Sequence, residues 1–380
     1  MHLTLHLTNG CNMNCRYCYV DQSRPASMRF ETARKAIDMA AADQRRGMVS
    51  IAFFGGEPLL EKDLIGRCVD YCRHLKKAGS PGFHLKMTTN GLLLDDALIE
   101  YAKREGIFIA LSHDGIREAH DMLRRDKHDA GTYGAVQSAA ARLLAAAPYS
   151  PVMMTVNPQN VRYFADSVKH HYGTGFRYLI CSLNYAGPWG EDTLAELQRQ
   201  YRQLSEWYYE LTMREEKFYF SPFDVKISSH ISGDAYCHER CELGKNQLSI
   251  GPEGGIYPCV QFVGDDEYRI GDVDSGIDRQ KRRRLYTMSE SEKSTCVACA
   301  IRKRCNHYCG CLNRQTTGSI NTVSPVLCAH ERTVLPIADR LAARLYQKRN
   351  GMFIQKHYNE LFPLLSFIED KAAAAEKKDP

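Results

Sequence analysis

Three cysteines stand close together near the start of the chain. Cys11, Cys15 and Cys18 follow a short β-rich run in the spacing C-x3-C-x2-C. Thiolates are the ligands of iron–sulfur clusters, and a cubane takes four of them. Three would leave one iron with an open position, as catalytic zinc sites keep one, and an open metal can bind and polarise a substrate group. Tyr17, inside the loop, would pack beside such a cluster. The other readings of the loop are three buried thiols, or a zinc site completed by a distant residue. A second group lies far downstream. Cys241 is followed by Gly254 and Cys259; then Cys296, Cys299, Cys305 and Cys309 run as C-x2-C-x5-C-x3-C, with Cys328 beyond. That order speaks for metal chemistry, either iron–sulfur or a structural zinc knuckle.

The elements that must position these residues alternate in the first half of the chain. Strands are expected at Leu3–Thr8, Val49–Phe54, His84–Thr89, Ile107–Ser112, Val152–Asn157 and Phe176–Leu183. Amphipathic helices are expected between them at Glu31–Arg46, Lys62–Lys77, Asp95–Arg104, Thr132–Ala146 and Val161–His171. This rhythm implies parallel strands joined by right-handed crossovers. Each unusual polar motif sits just past a strand: Thr8–Asn9–Gly10–Cys11, Gly55–Gly56–Glu57–Pro58, Thr89–Asn90–Gly91 and Ser112–His113–Asp114–Gly115. Barrels gather their chemistry at the carboxyl ends of several strands, so an α/β fold with an open, partial (β/α)6 barrel over residues 1–190 is expected. A helical linker follows at 191–234, with a long helix at Glu191–Lys217 that turns Trp207, Tyr208 and Tyr209 inward. A Gly- and Cys-rich domain is expected at 235–330, and C-terminal helices at 331–380, roughly Val334–Lys348 and Ile354–Lys371, ending in a fraying AAAAEKKDP tail.

These motifs resemble the radical S-adenosylmethionine (SAM) superfamily, whose signature is the same cysteine loop with an aromatic residue before its last cysteine. The resemblance covers residues 1–190. It implies that the amino and carboxylate groups of SAM chelate the open iron. One electron then cleaves SAM to methionine and a 5′-deoxyadenosyl radical. Gly55, Gly56 and Glu57 match the family's GGE motif, which receives the SAM amino group. Ser112 and Arg124 fall where related enzymes hold the SAM carboxylate, and Thr89 and Asn90 lie near the ribose. Taken alone, Gly55–Gly56 also reads as a strand-to-helix turn, Glu57–Pro58 as a helix start and Asn90–Gly91 as a turn pair.

The downstream cysteines resemble the SPASM domain of peptide-modifying radical SAM enzymes. That resemblance assigns Cys296, Cys299, Cys305 and Cys328 to one auxiliary cluster. It assigns Cys241, Cys259 and Cys309 to another, whose fourth ligand varies; Cys237 is a candidate for it. Without a fourth thiolate this cluster could capture a substrate thiolate, and with one it can only pass electrons. Cys311 is an adventitious or reserve ligand. The implied cofactors are SAM and three [4Fe–4S] clusters, one binding SAM and two auxiliary. Cys68 and Cys72, at i,i+4 on a helix, and Cys181, on a strand, read as small buried residues.

Tyr257–Gly264 resembles the matching stretch in maturases of cysteine-rich ribosomal peptides, which join a cysteine sulfur to a carbon as a thioether. The Cys309–Cys328 region, with Cys311–Leu312–Asn313, resembles maturases of peptides with repeated C-x-x-x units. The alternative is the anaerobic sulfatase-maturing enzyme, which oxidises Cys or Ser to formylglycine. Related enzymes of that kind place an Asp after the cysteine equivalent to Cys259, where this chain has Val260. Carbon–carbon cross-linking, another oxidation and a non-enzymatic iron–sulfur electron carrier are further readings. The implied partners are a cysteine-containing precursor peptide and an external one-electron donor of the flavodoxin or ferredoxin type. Because the barrel starts at residue 3, no leader-recognition domain is expected to be fused. A separate leader-binding protein, the C-terminal helices or the barrel rim would take that part.

Bulk properties bound these readings. The 380 residues are 44% hydrophobic, enough for two ordinary cores. The start of the chain lacks the basic and apolar regions of a signal peptide, and no apolar run reaches membrane-spanning length. A cytoplasmic protein without a membrane partner is expected. Fifteen cysteines, an odd number, fit metal or redox chemistry in a reducing compartment and not a closed disulfide framework. The net charge of +5 is spread along the chain, and the run Arg279–Gln280–Lys281–Arg282–Arg283–Arg284 reads as a solvated helix face. It lacks the interleaved aromatics of a nucleic-acid surface.

Overall fold

A computed structural model describes residues 1–23, 25–43, 47–79, 82–233 and 241–376, with side chains up to residue 369. The strands are β1 His2–Thr8, β2 Met48–Gly55, β3 Gly82–Thr89, β4 Ile107–Ser112, β5 Val152–Val156 and β6 Tyr178–Leu183. They continue as β7 Tyr219–Phe220, β8 Gln247–Ile250, β9 Gly255–Tyr257, β10 Gly271–Asp272 and β11 Gly276–Ile277. All join one sheet in the order β11-β10-β9-β8-β1-β2-β3-β4-β5-β6-β7.

From β1 to β7 the pairing is parallel and follows chain order. Right-handed crossovers that always step the same way put every connecting helix on one face, and the sheet curls toward a barrel. A doubly wound sheet needs a reversal of strand order, and this one has none over that span. The connecting helices bury the faces their periodicity implies. Lys62–Lys77, for instance, buries Leu64, Ile65, Cys68, Val69 and Cys72, which accounts for the latter two cysteines. Asp95 caps the next helix through its carboxylate on the Leu98 N–H (2.8 Å), and Gly106 ends it in the left-handed region.

Three boundaries differ from the sequence reading. The 191–234 segment is more than a linker: its helix stops at Met213, and β7 then adds a seventh parallel strand beside β6. Two residues are too few to show an alternating pattern. The first C-terminal helix runs from Pro325 to Gln347, started by the Ser324 hydroxyl on the Leu327 N–H (3.1 Å) and Pro325 in its first turn. The second is two helices, Gly351–Tyr358 and Phe362–Glu376, so the AAAAE of the tail is helical; residues 377–380 lie outside the described residues. Tyr208 is fully buried as expected, while Trp207 and Tyr209 are partly buried against the core.

The cysteine-rich region is attached to the barrel through the sheet itself. β8 pairs in parallel with β1 from His2 to Leu5, and β9 and β10 extend it antiparallel. On the other side, helix Pro325–Gln347 packs against helices Glu191–Met213 and Ser221–Ser232. The basic run lies on helix Arg279–Glu290, where Arg279, Arg283 and Arg284 are exposed. Among the described residues no helix is long and apolar enough to cross a membrane.

Candidate active site

The cysteine loop leaves β1 and is held from two sides. On one side the Gly56 N–H donates to Thr8 O (2.8 Å) and the Glu57 N–H to Gly10 O (2.9 Å). The approach is so close that a Cβ on Gly55 would sit 2.1 Å from Thr8 O, and one on Gly56 2.0 Å from Gly10 O. Gly55 also has φ +129°, so the glycine pair is required where β2 ends. On the other side the Asn14 N–H donates to Arg125 O (2.7 Å) and the Arg16 N–H to Leu123 O (2.9 Å). Met13 between them is fully buried. Pinned this way, Cys11, Cys15 and Cys18 all line one cavity of about 770 Å³.

The other expected SAM contacts line the same cavity: Gly55, Gly56, Glu57, Thr89, Asn90, Ser112 and Arg124. Glu57 is completely buried. Its Oε1 accepts from the Leu59 N–H (3.1 Å) and the Thr89 hydroxyl (2.8 Å), and its Oε2 accepts from the Asn90 N–H (2.8 Å). Burial pushes this carboxyl up to about 7 against the pull of those three donors and of Arg124. The Asn90 amide donates to Asn12 Oδ1 (2.7 Å) and toward Cys11 Sγ (3.6 Å), tying the end of β3 to the cysteine loop.

Two features went unrecognised in the sequence. Arg124 is 3.0 Å through Nε from Asp114 Oδ2, and both side chains are buried. Asp114 also accepts from the Tyr17 hydroxyl (2.7 Å) and the Thr155 N–H (3.0 Å). Tyr17 is thereby fixed within the loop, and any ligand carboxylate reaching Arg124 would share it with Asp114. The motif after β4 was legible, but the role of its Asp was not, because its partners lie ten to almost a hundred residues away.

A further part of the cavity wall comes from residues outside these motifs. Cys181, expected as a core residue, is a cavity-lining thiol on β6; it shares the wall with Tyr185, Tyr201, Lys226, His330 and Glu331. His330 takes the Tyr185 hydroxyl at Nδ1 and the Tyr201 hydroxyl at Nε2, each at 2.8 Å. Burial pushes its imidazole down to about 3. Lys226 Nζ donates to Glu331 Oε1 (2.8 Å), both side chains buried. None of this constellation was legible in the sequence, since it joins residues 105 to 145 positions apart.

Burial raises the Cys11 and Cys15 thiols, Cys15 to about 11, and Cys15 also feels Cys18 and Cys11. A bound metal is what deprotonates such thiols, and three thiols of one loop lining an open cavity, with N–H donors on Cys11 Sγ, suit a cluster with one free position. Downstream, Cys309 and Cys311 have their sulfurs 3.3 Å apart, and Cys311 also contacts the Cys259 thiol. Cys241 lies within electrostatic reach of Cys259 and Cys309. Cys237 lies outside the described residues. In the second group the Cys299 N–H turns back onto Cys296 O (3.1 Å), Cys305 and Cys328 sense each other, and Arg332 reaches Cys299 Sγ (3.7 Å) and Cys328. Tyr19 lies within electrostatic reach of Cys18, Cys259 and Cys311. Among the described residues no three His, Cys, Asp or Glu side chains converge tightly enough to hold a single metal ion.

Comparison with known proteins agrees with this geometry. Residues 5–170 match the model of the radical SAM superfamily. A cysteine-type anaerobic sulfatase-maturating enzyme of Clostridium perfringens is 22% identical over 331 residues, 80% of this chain and 86% of that protein. The solved structure of anSMEcpe with bound AdoMet superposes with a TM-score of 0.78 at 20% identity, covering 92% of this chain and 99% of that one. Streptococcus suis SuiB bound to its precursor peptide SuiA gives 0.61 at 17% identity, covering 86% and 75%. Sheet order, cysteine loop and family match together place residues 5–170 in the radical SAM superfamily.

Proposed function

We propose that this enzyme matures a cysteine-containing peptide by joining a cysteine sulfur to a carbon of the same peptide as a thioether. The observation that carries the reading is the lining of the cavity: one space of about 770 Å³ is bounded both by the cysteine loop with Glu57 and by polar side chains, Tyr185, Tyr201, Lys226, His330 and Glu331, that the SAM motifs do not use. Ligand pockets of about 300–1,000 Å³ bury most of the surface of a small organic molecule. The relatives are a sulfatase-maturating enzyme and a protein solved with its precursor peptide, which supports a polypeptide substrate.

Cys11, Cys15 and Cys18 would hold the [4Fe–4S] cluster that binds SAM; together they supply a hydrogen-atom abstractor, the 5′-deoxyadenosyl radical. Around them, Glu57 would accept the amino group, Arg124 with Ser112 would face the carboxylate, and Thr89 and Asn90 would lie by the ribose. Cys296, Cys299, Cys305 and Cys328 would hold one auxiliary cluster, and Cys241, Cys259 and Cys309 the other. Cys311, in contact with Cys309 and Cys259, adds a fourth thiol beside that set. Closing a C–S bond is a net two-electron oxidation, which is why one-electron carriers accompany the barrel. The priming electron would come from a flavodoxin- or ferredoxin-type donor, and leader recognition from a separate protein or the chain's own outer surfaces.

Formylglycine formation is the second reading, favoured by the likeness to anSMEcpe over nearly the whole chain. Mass spectrometry of peptide treated with reduced enzyme and SAM separates the two. A thioether product is lighter by two hydrogens per link, and its cysteine resists alkylation under denaturing conditions. An aldehyde-reactive product would establish the formylglycine reading, and a lighter product with an alkylatable thiol would point to carbon–carbon linkage.

A further inference from the structure

Either product requires that a peptidyl thiol lose its proton inside the cavity, and the position after Cys259, where an Asp would serve, holds Val260. The described residues lining the cavity include two carboxylates, Glu57 and Glu331. Glu57 is committed on both oxygens to the turn that supports the cysteine loop. The remaining candidates on the far wall are also occupied. Both His330 nitrogens are engaged by tyrosine hydroxyls, and Lys226 donates to Glu331. Glu331 differs from all of these. Its residue is 1% exposed, Oε1 takes the Lys226 ammonium, and Oε2 is buried without a hydrogen-bond partner.

A buried acceptor left bare costs roughly 1–3 kcal/mol. An ion pair that served only to tie helix Ser221–Ser232 to helix Pro325–Gln347 would gain nothing from leaving it so. We propose that Glu331 is a catalytic residue whose Oε2 receives the proton of the substrate thiol, and that Lys226, bound to its other oxygen, is the positioning residue that orients it. The inference rests on the peptide-maturase reading. In the step, a substrate C–H hydrogen leaves as an atom to the 5′-deoxyadenosyl group. The S–H proton passes to Glu331 Oε2. The sulfur closes on the carbon, as C–S in a thioether or C=S in a thioaldehyde, and the remaining electron goes to an iron–sulfur cluster as one-electron oxidant.

The test uses E331Q in the full-length holoenzyme. In this variant the amide oxygen turns to Lys226, and an NH₂, which cannot accept a proton, takes the place of Oε2. The double variant E331Q/K226M removes the unpaired cation should E331Q fold poorly. The probe is a panel of synthetic cysteine peptides with alanine counterparts. On unreduced protein, iron content and SAM affinity should stay within about twofold of wild type, and the preference for cysteine over alanine peptide, about fivefold for one hydrogen bond, should disappear. Under turnover, 5′-deoxyadenosine should still form while modified peptide per 5′-deoxyadenosine falls about 100-fold or more, the span of a lost general base. Wild-type yield from E331Q overturns the assignment alone, and loss of iron or SAM binding in both variants overturns it in favour of a structural role. A wild-type enzyme that modifies none of the peptides overturns the maturase reading and this inference with it.

Discussion

The two ends of the cavity are built by different means. At the SAM end, each motif follows a strand directly, so a few contiguous residues carry both the backbone turn and the side chain. Gly55–Gly56 supports the cysteine loop through backbone contacts alone, and Glu57, the next residue, reaches Thr89 and Asn90 at the end of the adjacent strand. At the far end, Tyr201, Lys226 and the neighbours His330 and Glu331 come from three helices that pack together, and Tyr185 from the turn after β6. The first end is a local device repeated around a barrel mouth. The second is a product of tertiary packing.

If the SAM end is self-contained, destroying it should leave the rest standing. Replacing Cys11, Cys15 and Cys18 together with Ala should abolish reductive cleavage of SAM, the largest effect expected. Anaerobically reconstituted wild-type protein should carry about twelve iron and twelve sulfide, and the triple variant about eight of each, from the two auxiliary cubanes. Iron and acid-labile sulfide assays with chromatography of 5′-deoxyadenosine decide the matter. Cleavage that survives would misplace the radical site, and zinc with about four iron in the wild type would remove the auxiliary clusters.

The same contrast explains what could be read in advance. The barrel was legible because strand and helix periods alternate cleanly over residues 3–183, and because in-order parallel pairing is the simplest path for such a chain. That the residues after these strands would meet in one cavity was legible because their motifs are contiguous. β7 was not, being two residues long. Asp114 was visible as part of a motif, but its pairing with Arg124 and Tyr17 was not, since it depends on how the loop after β1 folds back. Glu331 had no signal at all, because a glutamate three residues past Cys328 on a helix looks like any surface carboxylate until its burial is known.

A narrower test asks how much of the SAM end depends on one carboxylate. Glu57→Ala should weaken SAM binding by about 1.5–3 kcal/mol, the value of a hydrogen bond to a charged group. It also strands the Leu59 N–H, the Asn90 N–H and the Thr89 hydroxyl, so a lower melting temperature should accompany it. Equilibrium dialysis of SAM against wild type and variant, with thermal unfolding alongside, measures both. Unchanged affinity would break the assignment of Glu57 to the amino group and leave it as a support for the loop alone.

The smallest effect expected is in pH. Burial raises the Glu57 carboxyl from its ordinary 4.5 to about 7, with Arg124 pulling it down from nearby and Cys11 facing it. Between those two values the folded, SAM-free protein keeps a proton that the unfolded chain has released, so stability falls as pH rises through this window. The cost is complete above pH 7, at about 3 kcal/mol for a fully buried group. SAM binding should run the other way. A donated N–H is held better by the carboxylate than by the neutral acid, so SAM affinity should rise from pH 6 to pH 8, with proton release on binding that fades above about 7. Calorimetric titrations in buffers of different ionisation heat read the proton directly. In Glu57→Gln, which cannot titrate, the slope should vanish. A wild-type affinity that is flat from pH 6 to pH 8 would mean that the three protein donors already hold Glu57 ionised. The SAM end would then be charged before its ligand arrives.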